Sequence, residues 1–158
     1  LGYFNGELRF FLGWAQEVAG DEAAAQETWL QTRTELETSL KEQPENSQLI
    51  GNLALTNMGL GDKTAALALI DRAMAVNPIE KDALGGGPFL IEMLARVTAR
   101  MGEHDRAIVA IEKLLSIPYR GNSGWGIPLT PALLRLDPMF DPLRNDPRFQ
   151  KLCEEKPK

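Results

Sequence analysis

A period of 41 residues limits what this chain can fold into. A glycine followed by an acidic residue occurs at Gly20-Asp21, Gly61-Asp62 and Gly102-Glu103, 41 residues apart each time. Other columns keep the same register. Eight residues before each glycine stands a leucine (Leu12, Leu53, Leu94), and seven before it a small residue (Gly13, Ala54, Ala95). Five residues after it stands an alanine (Ala25, Ala66, Ala107), and nine after it a large apolar residue (Trp29, Ile70, Ile111). Internal periods of this length belong to chains that stack supersecondary units.

Each unit reads as two helices. In the second, Leu49, Ile50, Leu53 and Leu60 recur at helical spacing up to Gly59 and Gly61. Ala66, Leu69, Ile70, Ala73 and Met74 form a second stripe that ends at Asn77-Pro78. The third unit repeats this with Ile91, Leu94, Ala95 and Met101, then Ala107, Ile108, Ile111, Leu114 and Leu115. Spacing of this kind gives an amphipathic helix one apolar face. Glycine closes the first helix with a left-handed turn, and proline prevents the second from continuing. In the first unit, Ala25, Trp29, Thr32, Leu36 and Leu40 run without a breaker to Pro44, which predicts a long helix over about 21–43. In the second unit the surplus residues fall between helices, at 79–87. There Gly85-Gly86-Gly87 predicts a flexible connection and Pro88 the first turn of the next helix. The expectation is one all-α domain over 1–158, with units at about 4–43, 46–78 and 88–118.

After Pro118 the helical period stops. Residues 117–128 read as a long ordered loop containing Trp125. Asp137-Pro138, Asp141-Pro142 and Asp146-Pro147 each carry a helix-start signature, with the last helix running from 147 to about 155. Leu133, Leu134, Leu136, Phe140, Leu143, Phe149 and Leu152 give this tail an apolar face suited to capping the last repeat.

Charge and composition narrow the chemistry. The chain has 158 residues and a formal charge of −5, against the basic surface that nucleic acid requires. No apolar run is long enough to cross a bilayer. One cysteine, Cys153, and one histidine, His104, exclude an internal disulfide, cysteine-rich zinc sites and schemes that need two histidines. Phosphate-loop, zinc-protease and nucleophile-elbow motifs are absent. His104 reads as a solvated helix-start residue, Glu92 and Glu112 as separate charged positions, and Asp137, Asp141 and Asp146 as caps rather than cation ligands. No catalytic residue, cofactor or metal is expected. The chain starts at Leu1 with no basic-then-apolar leader, so a segment of a longer protein is expected; cytoplasm and periplasm both stay open.

The Leu12-Gly13, Leu53-Ala54 and Leu94-Ala95 pairs, the alanine column and Pro78 resemble the tetratricopeptide repeat, a helix-turn-helix motif. Residues 4–118 carry the resemblance, and Ser47 to Pro78 fit it best. The period is longer than that family's 34 residues, and its usual tyrosine is replaced by Gln16, Asn57 and Thr98. The resemblance implies a right-handed superhelix whose first helices line a concave groove. By the family register, the groove positions are Glu7, Phe10, Trp14 and Glu17, then Gln48, Asn52, Leu55 and Met58, then Phe89, Glu92, Arg96 and Arg100. Of the residues some relatives use to clamp a chaperone carboxylate, only Asn52 matches, while Phe10, Trp14, Phe89 and Met93 occupy other clamp positions. The stretch Leu134 to Leu152 is similar to tails that follow such repeats in large bacterial signalling proteins. Together these imply a protein-binding scaffold module. Aromatic and Met anchors would hold a partner peptide or helix, and Arg96 and Arg100 would select an acidic feature. The alternative is a homo-oligomerising module that brings attached domains together.

Overall fold

The computed structural model describes residues 3–83, 86–119 and 127–154, with side chains from Gly6 onward. Within them the chain is all-α. The helices are α1 (Tyr3–Val18), α2 (Glu22–Glu42), α3 (Ser47–Gly59), α4 (Lys63–Val76), α5 (Gly86–Arg100), α6 (His104–Ser116), α7 (Pro131–Leu136) and α8 (Pro147–Leu152). A 3-10 helix, Pro138–Leu143, lies between the last two. Consecutive helices pack as pairs, α1 on α2, α3 on α4 and α5 on α6. Between units, α2 packs on α3 and α4 on α5, and the first helices of neighbouring units adjoin.

The glycine–acid dipeptide makes all three hairpin turns. Gly20, Gly61 and Gly102 have φ of 86°, 78° and 80°, the left-handed region that other residues avoid. The amides of Asp21, Asp62 and Glu103 each donate back to the carbonyl five residues earlier, at 2.9 Å, closing the preceding helix. The same aspartates then open the next helix. Asp21 accepts from the Ala24 amide at 3.1 Å and Asp62 from the Ala65 amide at 3.0 Å. Glu103 caps nothing with its side chain, and its carboxylate meets Lys63 at 3.1 Å instead.

The repeat columns are packing positions. Ala25, Ala66 and Ala107 are buried, as are Trp29, Ile70 and Ile111 and the small column Gly13, Ala54 and Ala95. A Cβ added to Gly59 would lie 2.6 Å from the Trp29 indole, and one on Gly13 would also meet that ring. Trp29 thus fills a slot between α1 and α3 that only glycine leaves open. The leucine column breaks once: Leu53 is 5% exposed and Leu12 53%. Leu53 clusters with Leu36 of α2, the preceding unit's second helix; α1 has no such helix before it.

The surplus residues of units one and two act differently. In α2 they add two turns, which lay Leu36 and Leu40 over Leu49, Leu53 and Leu69. Arg72 of α4 donates to the Pro44 carbonyl just beyond α2. The glycine connection before α5 departs from expectation. Gly85 is outside the described residues, but Gly86 and Gly87 already belong to the helix, with the Gly87 amide on the Asp82 carbonyl at 2.9 Å. A Cβ on Gly87 would lie 2.6 Å from that oxygen and 2.7 Å from the Ile79 Cα. Glycine is used here for close backbone approach, not for flexibility.

Most of the expected loop, including Trp125, lies outside the described residues. Beyond it Thr130 caps α7, a start the sequence reading did not mark. Asp137 and Asp146 begin the 3-10 helix and α8 as expected. Asp141 starts nothing; it lies inside the 3-10 helix and pairs with Arg144 at 2.5 Å. Leu134, Phe140, Leu143, Phe149 and Cys153 pack with Ala99, Ala107, Ile111 and Leu114, so the tail covers the last helix pair.

Two glycine substitutions separate backbone from packing costs. At Gly61 an added Cβ meets nothing within 4 Å, so Gly61→Ala should cost only the left-handed strain, about 1–2 kcal/mol. Gly59→Ala must displace Trp29 and should cost at least as much, about 1–3 kcal/mol, with loss of the near-ultraviolet tryptophan signal. Urea unfolding followed by far- and near-ultraviolet circular dichroism distinguishes the two.

Candidate functional site

The first-helix face differs from the open groove expected of it. Glu7, Phe10, Asn52, Leu55, Met58, Glu92 and Arg96 are buried, and Trp14, Glu17, Gln48, Phe89 and Arg100 half-buried. The first helices come too close together to leave a channel. A Cβ on Gly51 would lie 2.5 Å from the Met93 sulfur. Phe10, Ile50, Leu55, Met58, Met93 and Val97 form one apolar cluster, and Met139 of the tail joins it. At its edge Arg100 lies 4.9 Å over the Trp14 ring and pairs with Glu17 at 2.8 Å, so α5 is clasped to α1. Phe10, Leu55 and Met58 are therefore core residues, and Arg100 already has an acidic partner within the chain.

Arg96 has one too. Its guanidinium meets Glu92 at 2.9 Å and Asp137 at 2.7 Å, contacts the Met139 sulfur at 3.5 Å and lies 5.4 Å over the Phe140 ring. Burial alone would lower the Arg96 pKa, but the charges of Glu92 and Asp137 outweigh it and hold the group fully protonated. The Tyr119 hydroxyl donates to Glu92 at 3.2 Å and accepts the Leu129 amide at 2.7 Å. Burial, and then the charge of Glu92, push the Tyr119 pKa up. Glu92 and Arg96 are thus the anchor of the tail, not the lining of a partner site.

An open apolar concavity lies elsewhere, on the side of the second helices. A groove of about 480 Å³ runs between units two and three. Met74 of α4, Ile79, Ile91 and Leu94 of α5, and Val109 and Ala110 of α6 form its wall. Arg106 and Lys113 stand on its rim with Asp105. Arg106 pairs with Asp71 and Asp105 with Arg148, which leaves Lys113 as the rim cation not engaged by these pairs. The repeat register explains the groove. Ile91, Leu94 and Ala110 occupy the columns of Ile50, Leu53 and Leu69 one unit earlier. In that earlier unit Leu36 and Leu40 of the long α2 cover Leu53 and Leu69. The positions matching Leu36 and Leu40 are Asn77 and Lys81, beyond the end of α4, so their place is unfilled. Only the early stop at Asn77-Pro78, set against Pro44 in the unit before, signals this in the sequence.

Nothing in the geometry points to covalent chemistry or metal binding. Among the described residues no three His, Cys, Asp or Glu side chains gather as a metal site, and Cys153 is buried. Comparisons with protein-family models, curated proteins and solved structures return no match to this chain.

The anchor yields a test. Arg96→Met leaves Glu92 buried opposite no cation and should destabilise by about 3–5 kcal/mol. Adding Glu92→Gln should restore a large part of that loss. Urea midpoints of the single and double variants measure both effects, and a double variant no more stable than the single would show that Glu92 is not the group left stranded.

Proposed function

We propose that this chain is a protein-binding helical-repeat module of the tetratricopeptide-like class, and that its partner seats in the groove between units two and three. The family reading draws support from the paired helices, the left-handed glycine turns and the buried small columns, and it carries with it a right-handed superhelix. The single observation behind the binding reading is the groove's missing cover. Two apolar side chains four residues apart, Leu36 and Leu40, occupy the matching place one unit earlier. The fitting partner is a helical segment with two such side chains one turn apart. Lys113 favours an acidic residue beside them. A scaffold role in a multidomain bacterial signalling protein fits the similarity of the tail. Self-association is a second reading, favoured by the outer face of α1.

A fluorescent helical peptide with leucines four apart and flanking glutamates tests the groove. Val109 is 64% exposed, so Val109→Lys leaves the fold intact while charging the groove floor. Ala110→Leu installs the side chain that Leu69 supplies one unit earlier. Each should weaken binding at least about tenfold, and Lys113→Glu several-fold with loss of salt sensitivity. Undiminished binding by Val109→Lys and Ala110→Leu, combined with loss in Arg100→Glu, would move the site to the first-helix face.

A further inference from the structure

The outer face of α1 is apolar and bare. Leu8 and Leu12 are 54% and 53% exposed, and Ala15 and Ala19 are exposed in line with them at i, i+4, i+7 and i+11. The Ala19 amide still donates to the Ala15 carbonyl at 3.0 Å, so the stripe is continuous. Val18 and Leu30 of α2 extend the exposed surface. In the next unit the positions of Leu8, Leu12 and Ala15 are held by Leu49, Leu53 and Thr56, all buried. Leu49 and Leu53 cluster with Leu36 of a neighbouring helix. The repeat itself therefore identifies what covers this stripe: another helix.

The order of residues along it identifies which helix. It runs large, large, small, small. If a second α1 is laid antiparallel about a two-fold axis midway between Leu12 and Ala15, Leu8 of each copy falls opposite Ala19 of the other, and Leu12 opposite Ala15. Every leucine meets an alanine, the large-against-small match that lets helices interdigitate, and one patch serves both partners, as a two-fold interface requires. A parallel arrangement would set leucine on leucine and alanine on alanine. With Val18 and Leu30 the pairing would bury on the order of 1,000 Å² in total, the lower bound for a specific interface. We infer that the chain forms a two-fold dimer through antiparallel α1 helices, with this stripe at its centre.

Sedimentation equilibrium over a concentration series, with disulfide trapping, tests this on the intact chain. The expected result is a reversible dimer with a dissociation constant on the order of 10 µM, shifted at least about tenfold by Leu12→Glu while circular dichroism stays unchanged. Val109→Lys, in the separate groove, should leave the dimer intact. Under oxidation the double variant Leu8→Cys/Ala19→Cys should give a cross-linked dimer. The single variants should not, because equivalent residues lie roughly 16 Å apart along antiparallel helices. A chain monomeric to about 500 µM would overturn the inference. So would a dimer indifferent to Leu12→Glu, or one that cross-links through Leu8→Cys alone, which marks parallel pairing.

Discussion

Trp29 is the contact on which the first two units depend. Its indole lies between Gly13 of α1 and Gly59 of α3, stacks on Phe10 with ring centres 6.2 Å apart, and donates Nε1–H to the Phe10 carbonyl at 3.1 Å. The ring is fully buried, so its one polar atom requires that partner. The bond is made to the backbone, which fixes the height of α2 along α1 whatever side chain stands at position 10. The two glycines fix the depth. One aromatic side chain thereby sets both coordinates of the α1–α2 pair and the approach of α3, and Ile70 and Ile111 fill the same column in the later units with less bulk.

A different physics holds the far end. The Glu92–Arg96–Asp137 group is a buried set of charges, and its value lies in specifying one arrangement more than in adding stability. Asp137 serves twice, capping the 3-10 helix through the Met139 amide at 2.9 Å and meeting Arg96 at 2.7 Å. Met139 and Phe140, which follow it, enter the two apolar clusters on either side of α5. A tail held this way can sit in one register only, since a shift of one residue would strand the aspartate or the methionine.

The periodic part of the fold was legible in the sequence because each column has one steric cause that recurs: positive φ at glycine, close crossing at alanine, a gap filled at Trp29, Ile70 and Ile111. The first-helix face was not, because family register says which way a residue points and not how near the neighbouring helix comes. Gly51, which admits Met93, lies outside the repeat columns and reads as nothing in particular. Arg96 looked like a cation awaiting a partner because its acceptor, Asp137, is 41 residues away in a tail without the repeat pattern. The groove lay in a length difference between α2 and α4, visible in the sequence as the placement of prolines but without meaning until Leu36 and Leu40 were seen lying over the next unit.

That length difference also divides the molecule mechanically. The last turns of α2 bind unit two along a row of leucines, and Arg72 closes the joint from the other side. Between α4 and α6 no such overlap exists, and the joint relies on α5 and on the Lys63–Glu103 and Asp71–Arg106 pairs, both partly solvated and of small worth. Local opening takes the route that exposes the least buried apolar surface. In this chain that route is the seam along the convex side of α5, with units one and two as one block and unit three with its tail as the other. The groove sits on that seam, so a helix bound there would bridge the blocks and slow amide exchange in both.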